Sequence, residues 1–122
     1  MNKKIAIVTG GTSGIGKATA LALRGAGYTV YEFSRREAGV EGLHHIRADI
    51  TDETQVRAAV QQVMDAEGQI DVVVNNAGFG ISGAVEFTDT ADAQRLFNAD
   101  FFGMVRVNRA VIAHMRRGGA AL

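Results

Sequence analysis

The sequence contains no cysteine, no proline and no tryptophan. Without thiols there can be neither a disulfide framework nor a thiolate metal site, and nothing argues for an oxidising compartment. Charge of one sign is also missing: 13 Lys and Arg balance 13 Asp and Glu, so no bulk field recruits nucleic acid or an anionic lipid surface. Long apolar runs are absent too. The run from Ile5 to Val8 is too short for a signal peptide core, and no stretch approaches the ~18 apolar residues of a membrane span. A length of 122 residues favours one domain, 1–122, large enough to bury a core. The expectation is a soluble, cytoplasmic domain without nucleic-acid or membrane partners.

What the chain does have is glycine, 15 residues and well above the usual ~7 %, together with alternating strand-like and helix-like periods. Residues 4–9 (KIAIVT) form a β-branched apolar run that reads as a strand buried on both faces. Ile15, Ala18, Leu21 and Ala22 recur at helical spacing over 14–26, and Gly25 and Gly27 stop the pattern. A second strand is expected at Thr29–Ser34 and a third at 43–48. Asp52 with Gln55 three residues on resembles a capping box, opening a helix whose stripe is Val56, Val60, Val63 and Met64. Gly68 closes that helix, and 70–74 reads as strand 4. A glycine-containing loop over 75–90 leads to a long helix over about 92–117, ended by Gly118 and Gly119. Continuous apolar strands joined through helices predict an α/β fold, a doubly wound parallel sheet with right-handed crossovers and strand order 3-2-1-4. Such a sheet has a nucleotide-binding crevice at the switch point between strands 1 and 4.

The turn after strand 1 reads Thr9-Gly10-Gly11-Thr12-Ser13-Gly14-Ile15-Gly16. Glycines there let the backbone approach a ligand closely, and the turn aims free N–H groups and the positive end of a helix at an anion. The bland alternative is a tight turn without a ligand, which the position directly after strand 1 of a βαβ unit disfavours.

The spacing Gly-x-x-x-Gly-x-Gly resembles the short-chain dehydrogenase/reductase family, classical type. Three further segments agree in order and spacing: Asp49-Ile50 after strand 3, Asn75-Asn76-Ala77-Gly78 after strand 4, and Phe101-Phe102-Gly103 through His114-Met115 on the long helix. The resemblance covers essentially the whole chain. It implies a Rossmann-type nicotinamide dinucleotide site in which Gly10, Thr12, Ser13, Gly14, Ile15 and Gly16 hold the phosphates, Asp49 and Ile50 meet the adenine, and Asn76, Ala77 and Gly78 line a ribose. It also implies that Asn75 ties neighbouring strand backbones together. A structural role alone is the alternative for each Asn, and a helix cap is the alternative for Asp49.

An NAD-preferring site places a carboxylate at the end of strand 2, where it accepts from the ribose 2′-hydroxyl and repels a 2′-phosphate. Here that position is Ser34, followed by Arg35 and Arg36, whose guanidinium groups can fork onto a phosphate. The arrangement favours NADP over NAD, with Arg35 first and Arg36 second; the alternative is a pair of solvated loop charges. Glu32 points to the same side as Ser34 and would weaken the NADP preference if it reached the ribose.

Asp100 stands where the resembling family has the Asn of an Asn-x-x-Gly pattern, a residue that helps organise a water and a catalytic Lys. A carboxylate has the same shape but only accepts, which puts that role in doubt. By helical spacing Asp100 shares an apolar stripe with Leu96, Met104, Val107, Val111 and Met115; a partly exposed position is the alternative. Gly103, unfavourable in a helix by about 1 kcal/mol, suggests close approach of another backbone. His44 and His45 are strand neighbours facing opposite ways, so a shared metal is not expected, and His114 reads as a helix C-terminal cap.

The family's chemistry uses a Ser and a Tyr-x-x-x-Lys. The only tyrosines are Tyr28 and Tyr31, with Glu32 and Arg35 four residues on, so no such motif can be drawn. The expectation is therefore the NADP(H)-binding portion of an oxidoreductase acting on carbonyl or alcohol groups, cut before the catalytic Ser, Tyr and Lys. A non-catalytic nucleotide-binding or dimerisation module is the alternative. Strand 4 would be an apolar edge, which predicts a homo-oligomer covering it and the long helix.

Overall fold

The computed structural model describes residues 3–12, 14–76, 90, 91, 94 and 98–117, with backbone only at 99, 100 and 117. Ser13, Ala77 and Gly78 lie outside them. The elements run β1 (Ile5–Thr9), α1 (Gly14–Gly25), β2 (Thr29–Ser34), β3 (His44–Arg47), α2 (Glu53–Glu67), β4 (Val72–Asn75), a π-helical turn (Asn98–Phe102) and α3 (Gly103–Arg117). Among the described residues the sheet is parallel with order β3-β2-β1-β4, as the connection rules predict.

Strand alternation divides the core. Ile5, Ile7, Tyr31 and Phe33 pack with Val56, Val60 and Val63 of α2 and with Val107, Val111 and Met115 of α3. Ala6, Val8 and Val30 face the other way, onto Ala20 of α1. Parallel strands covered on both sides thus read as unbroken apolar runs. No helix among the described residues is long and apolar enough to cross a membrane.

Several expected boundaries shift for identifiable reasons. β4 begins at Val72 rather than at 70, because the Asp71 carboxylate accepts the Ile5 N–H (2.8 Å) and ends the ladder there. The cap of α2 is an altered capping box: Asp52 accepts from the N–H groups of Thr54 and Gln55, while the Gln55 side chain turns to the Asp49 N–H (3.0 Å) instead of that of Asp52. Gly68 closes α2 in the left-handed region, φ 76°.

The long helix is not one regular helix. A π turn precedes Gly103, and its extra residue per turn shifts the register. The buried row becomes Gly103, Val107, Val111 and Met115, while Met104 is 36 % exposed, so the single stripe expected through Asp100 and Met104 does not continue. The neighbour that requires Gly103 is also not a backbone. A Cβ there would stand 2.5 Å from Ile50 Cδ1 and 2.9 Å from Cγ1, so the Ile50 side chain occupies the space.

Candidate functional site

At the carboxyl ends of β1 and β4 three contacts shape the glycine turn. Gly10 adopts φ 69° and Gly14 φ 58°, the left-handed region open to glycine without strain. The Gly10 N–H donates to the Phe33 carbonyl (2.8 Å), fixing the turn to β2. Gly16 has no room for a side chain: a Cβ would collide with Asn76 Nδ2 and with the Gly10 carbonyl oxygen. Asn76 in turn donates its backbone N–H to the Thr9 hydroxyl (3.0 Å) and its amide to the Gly10 carbonyl (3.3 Å). Gly10 and Gly16 therefore form one unit at the sheet switch point with Asn76, which is distant in sequence.

Beyond the turn the first turn of α1 carries no acidic side chain, and Ile15 is 79 % exposed. Among the described residues of that turn no carboxylate competes with an anion for its N-terminal N–H groups. Asn75 pairs with Thr9 where β4 meets β1. Its amide donates to Asn108 Oδ1 on α3 (2.9 Å).

At the end of β2, the Ser34 hydroxyl is buried and has no hydrogen-bond partner among the described residues. Arg35 and Arg36 follow as exposed residues. Their backbone carbonyls are held from β3, by Arg47 Nε (3.1 Å) and His45 Nε2 (2.6 Å) respectively. Their guanidinium groups make no ion pair or hydrogen bond among the described residues. An open cleft of about 370 Å³ is lined there by Arg35, Arg47, Asp49 and Gln55.

Asp49 projects into this cleft while accepting from the Thr51 N–H (2.9 Å) and hydroxyl (2.7 Å). Helix capping falls to Asp52, so the cap alternative for Asp49 is replaced by this local turn. Burial pushes the Asp49 carboxyl up, but the Thr51 hydrogen bonds and the nearby charges of Arg35 and Arg106 outweigh it and hold it below the usual carboxylate range. Glu32 does not reach the cleft. It is fully buried, its Oε2 engages His45 Nδ1, and a Cβ on Gly11 would come within 2.6 Å of its Cγ.

Two groups escape a reading of the sequence. Arg106 donates to the Ile50 carbonyl (3.0 Å), the Asn98 carbonyl (3.0 Å) and Asn98 Oδ1 (2.5 Å), tying the loop after β3 to the π turn that contains Asp100. Its signal was a lone Arg in the apolar context MVRV. The other is the Glu32–His45 pair, whose members lie opposite each other on β2 and β3.

The sequence pattern of the family described as short chain dehydrogenase matches residues 4–121. The chain belongs to the short-chain dehydrogenase family. It is 38 % identical over 120 residues to 3-ketodihydrosphingosine reductase of Bacteroides thetaiotaomicron, a match covering 96 % of this chain and 44 % of that protein. Among solved structures it is similar to ligand-free aldohexose dehydrogenase of Thermoplasma acidophilum (TM-score 0.90, 32 % identity, 95 % of this chain and 46 % of that one). It is likewise similar to ElxO with NADP bound (TM-score 0.90, 29 % identity, 98 % and 53 %). The chain thus spans about half the length of the short-chain dehydrogenases it matches.

A nicotinamide dinucleotide of the kind short-chain dehydrogenases bind suits the residues present. The glycine turn and the acid-free start of α1 suit a pyrophosphate, and the Ser34 hydroxyl, without a partner among the described residues, suits with the exposed Arg35 and Arg36 a further anion beside it.

Proposed function

We propose that this chain is the NADP(H)-binding portion of a short-chain dehydrogenase/reductase acting on carbonyl or alcohol groups. The observation that carries the choice of NADP is the end of β2, where the guanidinium groups of Arg35 and Arg36 make no ion pair or hydrogen bond among the described residues and the carboxylate of that strand, Glu32, is buried against His45. Similarity to ElxO, whose structures hold NADP or NADPH, supports it.

In this reading Gly10, Thr12, Ser13, Gly14, Ile15 and Gly16 with the start of α1 bind the pyrophosphate. Ser34, Arg35 and Arg36 bind the 2′-phosphate, Asp49 and Ile50 border the adenine, and Asn76, Ala77 and Gly78 border a ribose. Asp49, held as a carboxylate, accepts from an amino group. Ile50 packs its side chain onto Gly103 and offers the base only its remaining surface. The nicotinamide, when bound, supplies or accepts the hydride. Asp100 occupies the family's Asn position, and the Ser and Tyr-x-x-x-Lys of the family are not among these 122 residues, so these residues by themselves are expected to bind without turnover.

Titration of the chain with NADP and NAD by calorimetry tests the reading. NADP is expected to bind at least about tenfold tighter, the worth of one charge-assisted contact; equal affinities or tighter NAD would overturn it. We also propose a homo-oligomer that covers β4, at the edge of the sheet among the described residues, and the long helix, with the exposed Phe101 and Phe102 at its start. Light scattering at micromolar concentration should show more than a monomer, and a monodisperse monomer refutes this.

A further inference from the structure

Glu32 is an anomaly in the sheet. Its neighbours on the same face, Val8 and Val30, are apolar core, yet its carboxylate is fully buried, with Oε2 on His45 and Oε1 without a partner among the described residues. An apolar residue of similar volume would serve stability at least as well, since burying a charge and leaving one oxygen unpaired both cost free energy. A buried polar group that does not serve stability calls for another role.

The His45 ring faces an acceptor on each side. Nε2 meets the Arg36 carbonyl oxygen, which can only accept, so this nitrogen donates. Both contacts hold at once only while a proton lies between Nδ1 and the Glu32 carboxylate. Glu32 thereby fixes which way the ring points, and the ring fixes the Arg36 backbone. The connecting loop is seated on the same residue: a Cβ on Gly39 would collide with His45 Cβ. Two positions further along β3, Arg47 Nε holds the Arg35 carbonyl. The backbone at 35 and 36 is thus clamped from below, while neither guanidinium group makes an ion pair or hydrogen bond among the described residues.

We infer that Glu32 and His45 are positioning residues for the phosphate-binding arginines: the pair presets the backbone at Arg35 and Arg36, so that little ordering cost remains when a 2′-phosphate arrives. The inference rests on the NADP reading above. It also turns the carboxylate that could have opposed NADP into part of the support for it.

The test contrasts two substitutions at one position, with NADP and NAD titrated separately. His45→Gln keeps a donor where Nε2 stood, toward Arg36. His45→Asn keeps a donor toward Glu32 but cannot reach the Arg36 carbonyl. His45→Asn should weaken NADP about tenfold, whereas His45→Gln, which loses only the Glu32 contact, should weaken it by about threefold; both should leave NAD unchanged. A third variant, Glu32→Met with His45→Phe, removes both polar groups so that no unpaired charge is buried. It should keep the thermal midpoint and show the same selective loss as His45→Asn, which decides the matter if a single substitution fails to fold. Loss of NADP and NAD affinity together, or no loss of either, overturns the proposal. Arg35→Ala with Arg36→Ala separates it from its premise. If that pair leaves NADP binding unchanged, the NADP reading fails and the positioning role falls with it. If that pair weakens NADP but the Glu32 and His45 variants do not, the positioning role alone is overturned.

Discussion

The two ends of the sheet treat their polar groups differently. At the amino end, the Tyr31 hydroxyl donates to Glu67 Oε2 (2.8 Å), Lys3 meets Glu67 Oε1 (3.0 Å), and the Tyr31 ring stacks on His44 with centroids 4.8 Å apart. Asp71 accepts the first N–H of β1. At the carboxyl end, the Ser34 hydroxyl and one Glu32 oxygen are buried without partners among the described residues, and Arg35 and Arg36 are exposed. Partnered groups contribute stability; unpartnered ones give part of it up in exchange for somewhere to bind. The same strand, β2, runs through both regions, Tyr31 on one face and Glu32 on the other.

The contrast should break most visibly at Gly16. Gly16→Val drives a side chain into Asn76 and the Gly10 carbonyl, and nucleotide affinity should fall more than about a hundredfold in calorimetric titration, with the amino-end contacts untouched.

Next in size is an alkaline transition confined to the amino end. Burial, with the hydrogen bond to Glu67 and its charge, pushes the Tyr31 hydroxyl up from 10.0 to about 12. The folded state therefore keeps its proton where the unfolded state loses it. The resulting stability is fully present below pH 10.0 and is lost as pH rises toward about 12. The amount is on the order of 2–3 kcal/mol. Denaturant unfolding across that window should show the loss, and Tyr31→Phe should flatten it while leaving NADP affinity unchanged.

A smaller effect separates the ends from the other side. Arg35→Ala should weaken NADP by about tenfold, leave NAD unchanged and shift stability by less than about 0.5 kcal/mol. Smallest of all is Lys3→Met. Lys3 is largely exposed, so stability should fall by under about 1 kcal/mol in denaturant titration. Lys3 and Tyr31 both hold the Glu67 carboxyl below the usual range, so its contribution is present near neutral pH and is lost as acidification passes below that range.

The glycine turn, the order of elements and the choice of strands were legible because each depends on residues close in sequence: an apolar run, a capping Asp52, a Gly68 closing a helix. The boundary of β4 was not, since Asp71 takes an N–H from a strand 66 residues away. Nor was the π turn visible in the helical spacing, because Ile50 against Gly103 and Arg106 across to Asn98 come from separate elements. The contact of Asn75 with Asn108 was hidden for the same reason.

By itself the sequence determined a doubly wound sheet with a glycine turn at its switch point, since periodicity and glycine placement act within a few residues along the chain. Only the tertiary structure decided what the polar residues around that turn do. Glu32 has the composition of an NAD-type carboxylate and the position of a core residue. Parallel pairing of β2 with β3 places His45 opposite it, and burial in the sheet then binds the two together instead of leaving Glu32 to the cleft.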